Sequence, residues 1–450
     1  MRRTLALAAV ALCSLAAAAV AALLRPVLRP EPPGQQGVRA GALRMTTQLD
    51  RRYLPESGGG EAYLQIDLAA DQGPSLRRHV PVNAVLVLDR SGSMTGPKLD
   101  RARDAARALV QALGEGDRLA IVEFSSDAAV LFPSSPMTGE ARARVLTALD
   151  ALQASGGTNL SAAFDLAAPE LLRGHAGGRT DKVFLASDGQ ANEGICDREG
   201  LLRLARRDFA GATLSTFGMG EDYDEDLLTA FAAQNGGRAR YIASPEVLPG
   251  AFRDELSRAS AAVARNVRLR LEGATVERVL GYEAEDGWVR LPDFAAGEER
   301  RVLVKLRVPP GRGLAELLRV QLKLDDAATG AGSEASASVQ GAYTAEAGLL
   351  SLAPTGAAVE GGKAEMADLA QLAARLQGSG RRDEAAAQVA LLRGVARRTA
   401  SDAPASAAPM MKAAADYSTE VSSIEAPGDA ASKALKQKAF DAVRAPVKGW

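Results

Sequence analysis

The spacing of hydrophobic positions changes from one stretch of the chain to the next, and each stretch predicts a different element. Leu64, Ile66 and Leu68 alternate with polar residues and predict a short strand within 61–79. From Val80 to about Ala262, continuous apolar runs alternate with helical spacing. Val85–Leu88, Arg118–Phe124, Ala128–Phe132, Lys182–Ala186, Thr213–Gly218 and Ala239–Ala243 read as strands. Lys98–Leu113, Ala141–Leu152, Leu160–Leu172, Arg198–Arg207, Asp224–Gln234 and Pro245–Ala262 read as helices. That alternation predicts an α/β unit over 80–262, a doubly wound, mainly parallel, Rossmann-like sheet with helices on both faces. Over 263–345 the period changes to two. Val267, Leu269 and Leu271, then Val302, Val304, Leu306 and Val308, then Leu318, Val320, Leu322 and Leu324 alternate with polar positions. This predicts a smaller antiparallel β domain, a sandwich that the strand in 61–79 joins, which makes the α/β unit an insertion. Over 346–400, Leu369, Leu372, Ala373 and Leu376 form one helical stripe. Ala386, Val389, Leu392 and Val395 form another, so the C-terminal segment predicts a helical hairpin. Residues 401–450 carry few large apolar side chains and read as an Ala-rich, partly disordered tail.

The N-terminal pattern is different again. Met1-Arg2-Arg3 precedes an uncharged run from Thr4 to Leu24. At ~1.5 Å per residue it spans ~30 Å of hydrocarbon. The basic start and Ala19-Val20-Ala21 fit a cleaved signal peptide, and the length favours an uncleaved signal-anchor over residues 1–24. Residues 25–60 are rich in Pro and Gly and read as a linker. Both readings of the first segment place the body outside the cytoplasm, although Arg25, Arg29, Arg39 and Arg44 after the run blur the charge asymmetry.

Composition narrows the chemistry. Lys plus Arg is 54 and Asp plus Glu is 55, a net charge of −1, which argues against a nucleic-acid footprint. The chain has two Cys, Cys13 and Cys196, and two His, His79 and His175. That is too few for a structural zinc site or a disulfide framework. Any metal here should be held by oxygens.

Such oxygens occur in three loops. Asp89-Arg90-Ser91-Gly92-Ser93 follows the first buried strand. Gly156-Gly157-Thr158-Asn159 precedes a helix, and Ser187-Asp188-Gly189 ends the second strongly apolar strand. Two carboxylates and three hydroxyls suit a hard cation such as Mg²⁺ or Mn²⁺. The carboxyl ends of strands are where doubly wound sheets bind ligands. Helix capping by Asp and Ser is the plainer explanation of the first loop. Three loops with complementary donors at one sheet edge argue against it.

Asp89-x-Ser91-x-Ser93, then Thr158, then Asp188-Gly189 resemble the metal-ion-dependent adhesion site of von Willebrand factor A domains. The resemblance implies an A domain from about Pro81 to Ala262. It implies Ser91, Ser93 and Thr158 as direct metal ligands, and Asp89 and Asp188 as direct or water-mediated ones. It also implies a partner carboxylate, Asp or Glu, completing the octahedron. Gly211–Gly220, Ala264–Val267 and Leu280–Glu283 are similar to one bacterial branch, the YfbK-type proteins, in which a β region follows the A domain. The similarity covers about Val80 to Val308 and fades beyond Leu324.

These readings point to a non-catalytic, cation-dependent protein-binding protein on the extracytoplasmic side of the membrane. One alternative is a scaffold in an envelope complex whose metal mainly stabilises the fold. The other is a metal-assisted hydrolase, for which Glu193 is the only nearby general-base candidate. The acidic run Glu221–Asp226 lacks the turn glycine and distal acid of an EF-hand and reads as an acidic helix start.

Overall fold

The computed structural model describes residues 36–72, 80–188, 190–219, 223–242, 244–273, 276–352, 354, 356–425, 430–444 and 447. The signal or anchor segment at 1–24, His79 and Gly189 lie outside the described residues.

The described residues begin in a sheet. Strands β1 (Gln36–Ala40) and β2 (Leu43–Leu49) form an antiparallel hairpin, and β2 pairs in turn with β4 (Glu61–Ala70). A two-residue strand, β3 (Leu54–Pro55), lies between them in sequence. The linker expected at 25–60 is therefore corrected over its described part. Leu43, Met45 and Leu54 are fully buried, so this segment closes a core. Its glycines serve turns: Gly41 takes a φ of 48° between β1 and β2, a conformation that glycine adopts without a Cβ penalty.

The α/β layer follows. Its strands are β5 (Val82–Asp89), β6 (Arg118–Phe124), β7 (Ala128–Pro136), β8 (Thr180–Ser187), β9 (Thr213–Met219) and β10 (Ala239–Ile242). They are ordered β10-β9-β8-β5-β6-β7, all parallel except the edge strand β7. Its helices are α1 (Pro97–Ala112), α2 (Gly139–Asp150), α3 (Leu160–Gly174), α4 (Arg198–Asp208), α5 (Glu225–Gln234) and α6 (Leu248–Ser260). β5 shows why its sequence is continuously apolar. Val82, Ala84, Leu86 and Leu88 enter the core under α1, α2 and α6. Val85 and Val87 enter the opposite core under α3, α4 and α5. A strand covered on both faces has no polar side to show.

The chain then returns to the first sheet. β11 (Ala262–Glu272), β12 (Val276–Val279), β13 (Ala284–Glu285), β14 (Trp288–Arg290), β15 (Phe294–Ala295), β16 (Glu299–Arg307), β17 (Gly313–Asp326) and β18 (Gly332–Thr344) complete a sandwich. One sheet runs β1-β2-β4-β16-β12 and the other β13-β14-β11-β17-β18-β3, with β15 paired to β11. β4 pairs with β16 from Glu61↔Arg307 to Ala69↔Glu299. The α/β layer thus sits between β4 and β11 of one sandwich, whose two inner faces share a single core.

After the short α7 (Ala347–Leu350), four helices cover the outer face of the β4–β16 sheet: α8 (Gly356–Gly378), α9 (Arg382–Asp402), α10 (Ala407–Ser422) and α11 (Ala430–Arg444). Here the structure corrects, over its described part, the partly disordered tail expected at 401–450. Met410, Ala414, Tyr417 and Val421 of α10, and Leu435, Ala439 and Val443 of α11, join one core with Tyr63 and Leu303 of the sheet. Alanine stripes bury little area per residue, but they let helix backbones approach closely. A count of large apolar residues misses such packing.

Candidate functional site

The site lies at the carboxyl end of β5, where the strand order reverses between β6 on one side and β8 on the other. β5 and β8 run parallel with Leu88 opposite Ala186, so Asp89 and Asp188 fall at adjacent strand ends. Both are fully buried; Ser91 and Thr158 are nearly so, and Ser93 is exposed. The group is a sunken set of oxygens with one hydroxyl at the solvent side.

Hydrogen bonds hold this arrangement. The Ser91 N–H donates to Asp89 Oδ1 at 2.8 Å, and Ser187 Oγ donates to Asp89 Oδ2. Ser91 Oγ and Ser93 Oγ are 3.1 Å apart. Ser93 Oγ donates to Asp188 Oδ1 at 2.7 Å, and Lys98 of α1 forms an ion pair with Asp188 Oδ2. The first loop is tied to the Thr158 loop by Gly92 N–H to Gly156 O, 3.0 Å, and by Ser155 N–H to Arg90 O, 2.8 Å. The Thr158 loop is tied to the segment after β8, because the Thr158 N–H donates to Asn192 Oδ1 at 2.8 Å and the Asn192 N–H donates to Thr158 O at 3.1 Å. Gly156 is required here. Its φ is 76°, and a Cβ would stand 2.8 Å from Ser126 Oγ.

Capping does not account for the first loop. The turn at Gly92–Met94 receives no side-chain cap from Ser91, and α1, preceded by Gly96 at its N-cap, has none either. Asn159 does cap α3, accepting from the Ala162 N–H at 3.1 Å. Asp224 likewise caps α5 through the Leu227 N–H, as expected for an acidic helix start.

The electrostatics suit a cation. Burial pushes the Asp89 carboxyl up from its ordinary value against the hydrogen bonds from Ser187 and Ser91, and the neighbouring Asp188 adds to the rise. A positive charge between the two carboxylates would relieve both burial and repulsion. Among the described residues no group of three or more His, Cys, Asp and Glu gathers as a metal cluster. The donor set at this edge is instead two carboxylates with three hydroxyls, which fits a hard divalent cation.

All five residues singled out in the sequence lie on these three adjoining loops. Lys98, Ser187 and Asn192 were missed. For Lys98 a signal existed: a lysine in the first turn of a helix opposes the helix dipole and calls for a nearby carboxylate. Glu193 hydrogen-bonds to Ser126 Oγ at 2.8 Å. His175 lies at the other end of β8, beside Asp181, and Cys196 is exposed. Among the described residues no helix is long and apolar enough to cross a membrane.

Comparison with known proteins agrees with this fold. The family model of the von Willebrand factor type A domain matches residues 83–253. The chain is 30% identical over 287 residues to protein sll0103 of Synechocystis, covering 59% of this chain and 67% of that one. It is 31% identical over 228 residues to YfbK of Escherichia coli, covering 49% of this chain but only 39% of that protein. A solved von Willebrand factor type A structure from Catenulispora acidiphila has the same fold, with a TM-score of 0.68 at 19% identity over 93% of this chain and 100% of that one. Domains of this kind in general mediate protein–protein interaction and metal-dependent adhesion. A shared fold, a family-model match through the α/β layer and relatives at about 30% identity lead to one conclusion: the chain belongs to the von Willebrand factor type A family.

Proposed function

We propose that this protein is a non-catalytic, divalent-cation-dependent protein-binding protein. Asp89, Ser91, Ser93, Thr158 and Asp188 would hold Mg²⁺ or Mn²⁺, and the bound cation would capture an Asp or Glu carboxylate of a protein partner. The observation that carries this reading is the chain of contacts from Asp89 through Ser91 and Ser93 to Asp188, which joins two loops at one sheet edge, with the Thr158 loop tied to the first by the Gly92 N–H to Gly156 O. The metal's chemistry is that of a Lewis acid for an incoming anion. The protein's part is to orient oxygens and to bury two carboxylates that a cation would neutralise. Ser93 gives the group its solvent side, where a partner could approach.

The basic start and apolar run at 1–24 support a location on the extracytoplasmic side of the membrane, anchored or released. Catalysis receives less support. A hydrolase needs a base aimed at a metal-bound water, and the Glu193 carboxylate is engaged by Ser126.

Isothermal titration of Mn²⁺ into the purified chain tests the reading. Saturable binding that vanishes in Asp89→Ala is expected; equal binding by the two proteins would refute it. Metal-dependent turnover on ester or phosphate substrates would instead favour the hydrolase.

A further inference from the structure

Lys98 stands at the second position of α1, with its side chain about a quarter exposed. A cation there meets the positive end of the helix dipole, so the helix itself gains nothing from it. What Lys98 does touch is Asp188, which is fully buried. The two Asp188 oxygens are shared between Ser93 on one side and Lys98 on the other. Among the described residues Asp89 has no such cationic partner; a serine hydroxyl and a backbone N–H hydrogen-bond to it. One of the two carboxylates in the set is therefore neutralised from within the protein and the other is not.

We propose that Lys98 sets the charge of this site, weakening its hold on the metal while strengthening the loaded site's hold on an anion. The proposal rests on the reading of the five oxygens as a metal site. Two carboxylates against a divalent cation sum to zero, and Lys98 raises that sum by one positive charge. Unit charges a few ångströms apart near a protein surface shift equilibria by tenfold or more. The same charge acts with opposite signs on the two ligands. It repels the incoming cation and competes for Asp188, and it attracts the carboxylate that binds afterwards. A lysine that merely supported the fold would produce no such opposed pair of effects.

The test uses the purified full chain as wild type, Lys98→Met, Lys98→Gln, Lys98→Arg, Asp188→Asn and the Lys98→Met/Asp188→Asn double variant. Thermal melts in EDTA establish that each variant folds, and Lys98→Gln serves where Lys98→Met does not. Mn²⁺ affinity is measured by calorimetry. Acetate, the carboxylate probe, is followed through broadening of its methyl resonance by bound Mn²⁺. Lys98→Met should bind Mn²⁺ about tenfold tighter and acetate several-fold more weakly, whereas Lys98→Arg stays near wild type. The effect of Lys98→Met on Mn²⁺ should disappear in the Asp188→Asn background. Unchanged or weaker Mn²⁺ binding by Lys98→Met, with wild type binding normally, would overturn the charge-setting role and leave the metal site standing. Absence of Mn²⁺ binding in every protein would overturn the metal reading and this proposal together.

Discussion

Asp89 shows how much one position can carry. It ends a strand buried on both faces, so its carboxylate has no water to solvate it. Three neighbours supply what burial removes: the Ser91 N–H, the Ser187 hydroxyl and, in the proposed function, a cation. Asp89→Asn keeps the shape and loses the charge. It should abolish Mn²⁺ binding in calorimetry and change stability in EDTA by no more than about 1 kcal/mol, since removing a buried charge offsets the weaker hydrogen bonds. A large loss of stability without a binding defect would favour the scaffold alternative. Asp50 makes a related point away from the site. Burial raises its carboxyl to about 6, against the lowering effect of Arg51. The folded state then holds a proton more tightly than the unfolded state, so stability should rise as pH falls from 6 to 4, by roughly 3 kcal/mol at most. Denaturation midpoints at pH 7 and pH 5 should show this rise, and Asp50→Asn should flatten it.

At the scale of elements, the tight places are where backbones cross. Gly237, just before β10, has no room for a side chain, because a Cβ would lie 2.0 Å from Leu214 O of β9. Gly237→Ala should therefore cost about 2–4 kcal/mol in urea denaturation, by spreading the β9–β10 pair. The C-terminal helices make the opposite point. Their alanines looked too small to build a core, yet Tyr417 of α10 is nearly buried among α8, α9 and α11. Tyr417→Ala should cost about 3 kcal/mol. It should also expose α10 to limited proteolysis, which the wild-type helix should resist. Protection no different from that of wild type would argue that α10 is held in place without Tyr417.

For the whole molecule, some buried charges are paired inside the α/β layer and others where its parts meet. Glu255 of α6 receives Lys182 of β8 at 2.9 Å, with Arg238 and Arg240 close by, and its carboxyl is held down to about 2 despite burial. Its folded value lies below its unfolded one, so its contribution is complete above pH 4.5 and is lost as pH falls toward 2. Asp50 gains as pH falls from 6 to 4, whereas Glu255 loses below 4.5, so the two groups together favour the folded state most near about pH 4 to 4.5. Arg258 and Arg300 share Glu298 across the junction of the α/β layer and the sandwich. Arg444 of α11 donates to Gly281 O of the sandwich, and Lys436 of α11 pairs with Glu225 and Asp226 of α5. The last helix thereby contacts both the sandwich and the α/β layer.

Much of this was legible in the sequence, for a physical reason. Local periodicity records which faces are covered, so the doubly buried strand at Val85–Leu88 and the alternating strands of the sandwich could be read directly. The five oxygen residues were legible because strand ends in such a sheet converge, and because their family resemblance is carried by short motifs. Three things depended on tertiary structure. The segment before Glu61 became strands because its alternate residues found a second sheet to cover. The tail became helices because its alanines found close neighbours. Lys98 became part of the site because α1 and the end of β8 lie side by side. A sequence records what each residue offers, whereas contacts between residues distant in the chain exist only once the backbone has brought them within reach.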